Sequence, residues 1–440
     1  MSGHETVLPT REEILAGSDR PTSRTLKLVC LFLAALGTIV FLAGALGGSD
    51  RAWRALLFNW LYFTTISSAG VMFVAVQRIT TARWSRSVIR FLEGYVAFLP
   101  VAFVLLLVIL LGRHHIFWWS NVVPEIAEKK AYLNPPFFFA RTIIAFGIIL
   151  SLSVWYIYTS VRLDVGLVAE GGAKWARGLR ERMRRGYRDE RREIHSTHSL
   201  QGKLAVWLGF AFVYGWISLA WDLSMSLDPH FQSTMYGWWV FMGGWVAALA
   251  SFTIITMAWR KFLGRYDLIT ERHFHDLGKL CFAFTAFWGY LTFGQYLVIW
   301  YGNLGEETHW MRLRLIQPWE GLTLTTVALM FVIPFFGLLS RAAKVYLPTM
   351  ILFASSTIFG LWLHRYLEVY PSVYGTISGV PFGLWEIVIA LGYLGLWGFC
   401  YLSFMDAFPR FRVTLMTSPF RDEVQIPVNA ETMEPLPAHE

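Results

Sequence analysis

Three ionisable side chains interrupt the apolar run WDLSMSLDPHFQSTMYGWW, residues 221–239. Asp222, Asp228 and His230 sit among Trp, Leu, Met and Phe, where charge is costly. A carboxylate near an imidazole can take up and release protons. A lone Asp can instead neutralise a buried arginine or cap a helix. A second cluster is ITERHFHDLGKL, residues 269–280, where His275, Asp276 and Lys279 share a helical face by their i, i+4 spacing. An Asp there also simply complements the dipole at a helix start. Which chemistry applies depends on the elements that carry these residues.

Composition defines those elements. Of 440 residues, 55% are hydrophobic and 15% charged, whereas soluble domains carry about 25% charged residues. Mean hydropathy is +0.46. Ten apolar runs of helix length follow: about 26–46, 54–77, 86–112, 136–160, 202–225, 235–259, 278–302, 319–339, 345–366 and 382–405. They lack the period-2 alternation of an outer-membrane barrel. The expected fold is an all-α polytopic membrane protein with ten spans, an N-terminal arm (1–25), a basic loop (161–200) and a C-terminal tail (406–440). No cleavage site follows a short apolar core, so the first run reads as a span rather than a signal peptide. Of the 38 Lys and Arg residues, 29 fall on the side that ten spans assign to both termini. The positive-inside rule makes that side cytoplasmic.

The loop KWARGLRERMRRGYRDERREIH, residues 174–195, mixes Arg with acids on helical turns. It reads as a solvated helix touching anionic headgroups, not as a nucleic-acid arm. The tail RDEVQIPVNAETMEPLPAHE is polar and Pro-rich, and is expected to lie extended on a partner.

Several cofactor classes find no motif. Cys30, Cys281 and Cys400 are isolated within spans, without CxxCH or CxxC spacing. Membrane b-type haem needs facing histidines, and only His364 falls within a span. There is no GxxxxGK[ST] loop. The expectation is a chain with no metal or bound redox cofactor, with quinone or quinol as a possible substrate.

Ionisable groups inside a span cost about 2.5–3.5 kcal/mol each and mark functional hypotheses. At ~1.5 Å of rise per residue, Arg90 and Glu93 fall in the inner third of span three. Arg141, Asp222, Gln295, Glu320, His364 and Glu386 fall near the outer face, with His364 closing span nine. Arg141 and Asp222, on adjacent antiparallel spans at similar depth, are expected to pair. Asp228 is a plausible cap for span six beyond Pro229. Between the tiers lie Tyr95, Thr285, Tyr290, Thr292 and Gln295. Tyr290 and Gln295 are assigned to one polar seam, and Gly289 and Gly294 to close helix packing. Trp118, Trp119, Trp300 and Tyr301 suit either an aromatic belt or the flanks of a quinone ring.

NWLYFTTISSAGVMFVAVQRIT with the later FLEGYVAFLP parallels GWWVFMGGWVAALASFTIITMAWRK with FWGYLTFGQ. Spans 2–5 and 6–9 are therefore expected to form two four-helix bundles in parallel pseudo-repeat, with spans 1 and 10 peripheral.

LAWDLSMSLDPHFQSTMYGWWVF, HFHDLGKLCFAFTAFWGYLTFGQYLVIWYGNLGEE and FLEGYVAFLP…VVPEIAEKKAYLNPPFFFAR resemble the ActF-type subunits of bacterial alternative complex III, within the NrfD/polysulfide-reductase class of membrane proteins. The resemblance covers roughly residues 88–305. It implies a subunit of a quinol:cytochrome c oxidoreductase in the bacterial inner membrane, with a sister NrfD-type subunit, an iron–sulfur protein and c-type cytochromes as partners. It also implies that the better-supported quinol site lies in the sister subunit.

Three functions fit these residues. The favoured one is proton conduction within such a complex, through Glu93, His275 and Asp276 on one side and Asp222, Asp228, His230, Tyr290, Gln295, Glu320, His364 and Glu386 towards the other, with quinone binding as a further role. In that reading the chain is not catalytic alone. The alternatives are a secondary transporter, which commonly uses inverted repeats meeting at the midplane, and a structural anchor whose charges are ion pairs and caps. The charge bias gives a direct check on topology: in right-side-out vesicles, a cysteine at Arg188→Cys should resist a membrane-impermeant thiol reagent and react only after permeabilisation.

Overall fold

In the computed structural model, described for residues 9–18, 20–121, 129–168 and 172–424, the chain is all-α, with no strand among the described residues. Ten helices among them are long and apolar enough to cross a membrane. They are α1 (Arg24–Leu46), α2 (Asp50–Ile79), α3 (Ile89–Leu111), α4 (Pro135–Leu167), α5 (Glu190–Leu223), α6 (Tyr236–Leu263), α7 (Glu271–Gly302), α8 (Glu320–Gly337), α9 (Leu347–Tyr374) and α10 (Leu384–Ala407). The chain is thus a multi-pass membrane protein. Its terminal face carries the start of α1 and the end of α10; the opposite face is called distal.

Local chemistry sets the helix ends. The Ser23 hydroxyl accepts from Leu26 N–H, and the Asp189 carboxylate from Arg192 N–H, relieving orphan donors at the starts of α1 and α5. Gly264, at φ +68°, stops α6 in the left-handed conformation that glycine adopts without strain. Proline occupies the first turn of α4 and of α9.

Two spans are irregular. After Glu93, α3 tightens into a 3-10 stretch, Gly94–Phe98. A π turn, Ala328–Val332, bulges α8 just before Pro334. Across it, the Ser356 hydroxyl of α9 donates to the Leu329 carbonyl at 2.8 Å.

The packing forms two rings of four helices, α2–α5 and α6–α9. The rings meet through α2 and α6, and α2 touches α9 as α6 touches α5, the reciprocity expected of a pseudo-two-fold repeat. The α1/α10 pair packs alongside α2. At the centre, α2 is buried throughout its apolar window. Its serines and threonines donate back along the helix, Thr65 to Leu61 O at 2.6 Å and Ser67 to Phe63 O at 2.7 Å. Trp216 and Trp397 in turn donate to the Ser68 and Ser67 hydroxyls.

Beyond α10 the chain folds back on itself. Thr414, in the short helix Val413–Thr417, donates its backbone N–H and hydroxyl to Asp164 at 2.8 and 2.6 Å. The segment from Arg421, expected to lie extended on a partner, is described only as far as residue 424, where Glu423 accepts from Arg191 of α5 at 2.8 Å. The rest of the tail, and residues 122–128 of the motif VVPEIAEKKAYLNPP, lie outside the described residues.

Helices α1 and α10 cross where glycine meets glycine: a Cβ added at Gly37 would lie 2.4 Å from Gly392 Cα. In lipid, such contact rests on dispersion between closely approached backbones. Gly392→Val should therefore cost about 1–3 kcal/mol, read as a lowered thermal midpoint of the detergent-solubilised chain.

Candidate functional site

Buried charge gathers in three places. On the terminal side, Arg90 and Glu93 of α3 meet Asp164 of α4, all fully buried. Arg90 donates to both carboxylates. Glu93 also accepts from the Ser160 hydroxyl at 2.6 Å, and Arg412 approaches it to 3.6 Å. With Thr414 on Asp164, this cluster is almost completely hydrogen-bonded.

The second place is the distal end of the first bundle. Arg141 Nε donates to Asp222 at 2.9 Å, and Tyr132 and Thr142 donate to the same carboxylate at 3.1 and 3.2 Å. The guanidinium also lies 3.6 Å from the Tyr132 ring centroid. This pair fastens the α3–α4 loop onto α5. Burial, with Asp222 nearby, pushes the Tyr132 phenol upward.

The third place is a cavity of ≈ 350 Å³ within the second bundle, lined by α6, α7, α8, α9 and the helix Gly305–Leu315. His364 and Glu368, one turn apart on α9, form its polar wall. His364 Nδ1 lies 2.8 Å from Glu368 Oε1, and Arg365 donates to the same carboxylate. Arg365 Nη2 also donates to the Val240 carbonyl at 2.6 Å. Two indoles hold the imidazole edge to face, Trp239 at 4.2 Å and Trp288 at 5.5 Å between centroids. Phe331, from the π turn, packs on Gly289, where an added Cβ would meet its ring at 2.4 Å. Gln295 lines the opposite wall, 3% exposed, with neither amide atom hydrogen-bonded. Trp288 Nε1 and both ring nitrogens of His364 are likewise without hydrogen-bond partners, Nδ1 standing close to Glu368 but out of hydrogen-bond alignment. An apolar cavity ringed by unsatisfied donors and acceptors is suited to a flat ligand with polar edges.

Pro371 explains the arginine at the rim. Lacking N–H, it frees the Leu367 carbonyl within α9. Arg314 Nε donates to that carbonyl at 3.1 Å, while its Nη atoms reach Trp310 O and the Ser372 hydroxyl at 2.8 and 2.7 Å. Burial pulls the Arg314 guanidinium down to about 10, a group that remains charged at neutral pH.

The other expected residues do not converge on one site. His364 does not close α9: that helix runs on to Tyr374, leaving the imidazole ~15 Å below its distal end. Arg365 reaches to within 3.5 Å of Thr65, at the middle of α2, so a buried charge lies between the two tiers. Tyr290 is 65% exposed on the outer surface of α7, whereas Gln295 is buried. Five helical residues advance by roughly 140° modulo a turn, so the two cannot share a face. Asp228 accepts from His230 N–H at 3.3 Å in a local turn, and the N-cap of α6 is Met235; five intervening residues separate the turn from the helix. His230 is exposed.

Glu386 joins Arg51 of α2 at 2.6 Å, Tyr370 of α9 at 2.6 Å and its own cap residue Gly383 at 2.9 Å; this rivets three helices. Glu320 starts α8 on the surface, 3.5 Å from Gln317. Asp276 pairs with Lys279 at 3.2 Å, and His275 stays partly exposed. The bridging role at that corner belongs to His273, which meets the Ser87 hydroxyl at 2.9 Å. Trp118, Trp300 and Tyr301 are exposed, as belt residues are, and Trp119 is buried on Phe138.

Asp164, Arg365 and Glu368 were not singled out in sequence. A signal existed: RFLEGY at 90–95 and RYLEVY at 365–370 share one pattern, and each forms a buried i, i+3 Arg–Glu pair.

No family model matches the chain, and no curated protein matches it.

The two kinds of buried polar group should respond oppositely to substitution. Asp222→Asn leaves Arg141 uncompensated and should cost about 3–5 kcal/mol. Gln295→Leu removes an amide that has no partner and should be neutral or stabilising. Thermal midpoints of the purified variants check both.

Proposed function

We propose that the chain is a proton-conducting, NrfD-type membrane subunit of a quinol-oxidising respiratory complex, with both termini in the cytoplasm. The observation that carries this reading is the His364–Glu368 pair, placed deep in the membrane on the wall of an apolar cavity. The resemblance of its long ordered motifs to those of the ActF-type subunits adds to the reading.

Oxidation of a quinol to a quinone releases two electrons and two protons. In this reading the electrons leave to an iron–sulfur partner, as the resemblance to the ActF-type subunits implies. The protons need a base within hydrogen-bond reach and an exit to water. His364 Nδ1 and Glu368 Oε1 lie 2.8 Å apart but out of hydrogen-bond alignment, so a small turn of the imidazole lets them pass a proton, and Arg365 holds the carboxylate in place. A quinol ring in the cavity is favoured by the unsatisfied Gln295 amide, which offers one donor and one acceptor to ring oxygens. Asp222 and Glu386 stand outside this route, as helix-fastening pairs.

In the assembled complex reconstituted into vesicles, Glu368→Gln should lower quinol oxidation with coupled proton release about 10²-fold or more, with assembly and haem content unchanged. Full turnover and proton release in Glu368→Gln would refute conduction through this pair and leave the anchor reading.

A further inference from the structure

The walls of the α9 cavity differ in exposure. Trp239 of α6 and His364 and Glu368 of α9 are buried, whereas Phe293 and Tyr296 of α7 and Leu315 of the Gly305–Leu315 helix are 61%, 38% and 41% exposed. The open side therefore lies between α7 and α8. Helix packing gives the cause. The π turn and the Ile333–Gly337 end of α8 lie against α7, but its Glu320–Val327 half packs on α9 and on the Gly305–Leu315 helix and stands off α7. Gly360 of α9 lets the bulge sit close, since an added Cβ there would lie 2.7 Å from Met330 Cγ. Phe331, seated on Gly289, forms a sill. Distal to that sill the two helices part. Val327 and Phe293 stand ~10–13 Å inside the distal ends of their helices, a depth at which the neighbours are acyl chains rather than water.

We infer that the cavity fills sideways from the bilayer, with an amphiphile whose flat head lies beside His364 and whose apolar chain runs out between α7 and α8. The inference rests on the quinol reading above and adds the route of entry and the seat of the chain. Phe293, Tyr296, Leu315, Val327 and Phe331 frame the opening, and none of them is charged, so an apolar chain crosses it without stripping water from an ion. A cavity of ≈ 350 Å³ holds a ring but not a long chain as well. The chain stays among the lipids, and binding avoids the loss of about four-fold in affinity for each methylene drawn into water.

The test is photolabelling of the full chain in nanodiscs with two decyl-benzoquinones, one carrying an azide on the ring and the other a diazirine on the chain. Only labelling that excess unlabelled decyl-benzoquinone suppresses is counted. The ring probe should label α9 around His364, and the chain probe residues 293–296 and 327–331. Val327→Trp, which narrows the opening without touching His364, should cut the ring probe's labelling of α9 about five-fold or more; if that variant does not fold, Leu315→Trp takes its place. Labelling of α9 by the ring probe with none between α7 and α8 by the chain probe overturns the inference and leaves the quinol reading standing, as does full labelling of α9 in the folded variant. No labelling of α9 by the ring probe overturns both.

Discussion

Removing an ionised group from water is the largest local cost in this fold, and the helices are arranged so that each such group meets its partner. Asp222 of α5 meets Arg141 of α4; Glu386 of α10 meets Arg51 of α2; Asp164 of α4 meets Arg90 of α3. Asp406, in the last turn of α10, takes Lys27 of α1 at 2.5 Å and Arg410 at 2.9 Å. A carboxylate there opposes the helix dipole, and the two cations offset it. Apart from Asp406–Arg410, each of these pairs joins different helices, so a helix cannot exchange neighbours without stranding a charge. That penalty, about 3–5 kcal/mol per broken pair, fixes which helices adjoin. Dispersion between apolar faces, nearly equal for helix and lipid neighbours, cannot do so.

Helix α2 plays a complementary part. It is the hub of both rings, yet its centre, TTISSAG, is small and hydroxylated. Small side chains admit close neighbours: a Cβ added at Gly244 of α6 would lie 2.6 Å from Thr65 Cβ. Hydroxyls return their protons to the helix's own carbonyls and remain acceptors for Trp216 and Trp397. The centre of α2 is therefore polar at the scale of single atoms while carrying no charged residue of its own.

The span positions and the two-bundle plan were legible because they depend on apolar length and a repeated aromatic pattern, both local properties of the sequence. Pairing of Arg141 with Asp222 was legible because adjacent antiparallel spans place equal depths side by side. The cavity was not. It depends on a π turn in α8, on Pro371 being tolerated inside α9 through Arg314, and on α9 extending past residue 366. Each is a compensation between segments that no single run of residues displays. Tyr290 was misplaced for the reverse reason: the Gly-Tyr step it shares with Gly94–Tyr95 is a sequence likeness, but Tyr95 is buried against Ser251 and Tyr290 points outward.

The RFLE and RYLE segments carry the last distinction. Both bury an arginine and a glutamate three residues apart, yet their surroundings differ. Around Arg90 and Glu93, the remaining capacity is taken by Asp164, Ser160 and Thr414, side chains and backbone fixed in place. Around Arg365 and Glu368, His364 stands beside the carboxylate with neither ring nitrogen hydrogen-bonded, its ring on the wall of a cavity. A network whose carboxylate oxygens are each held by fixed donors resists change in protonation because those donors would have to be re-housed. A network that ends on a vacant acceptor beside free volume can exchange a proton with whatever enters. The same four-residue device thus serves as a clamp at one face and, in the proposed function, as a proton-handling pair near the other.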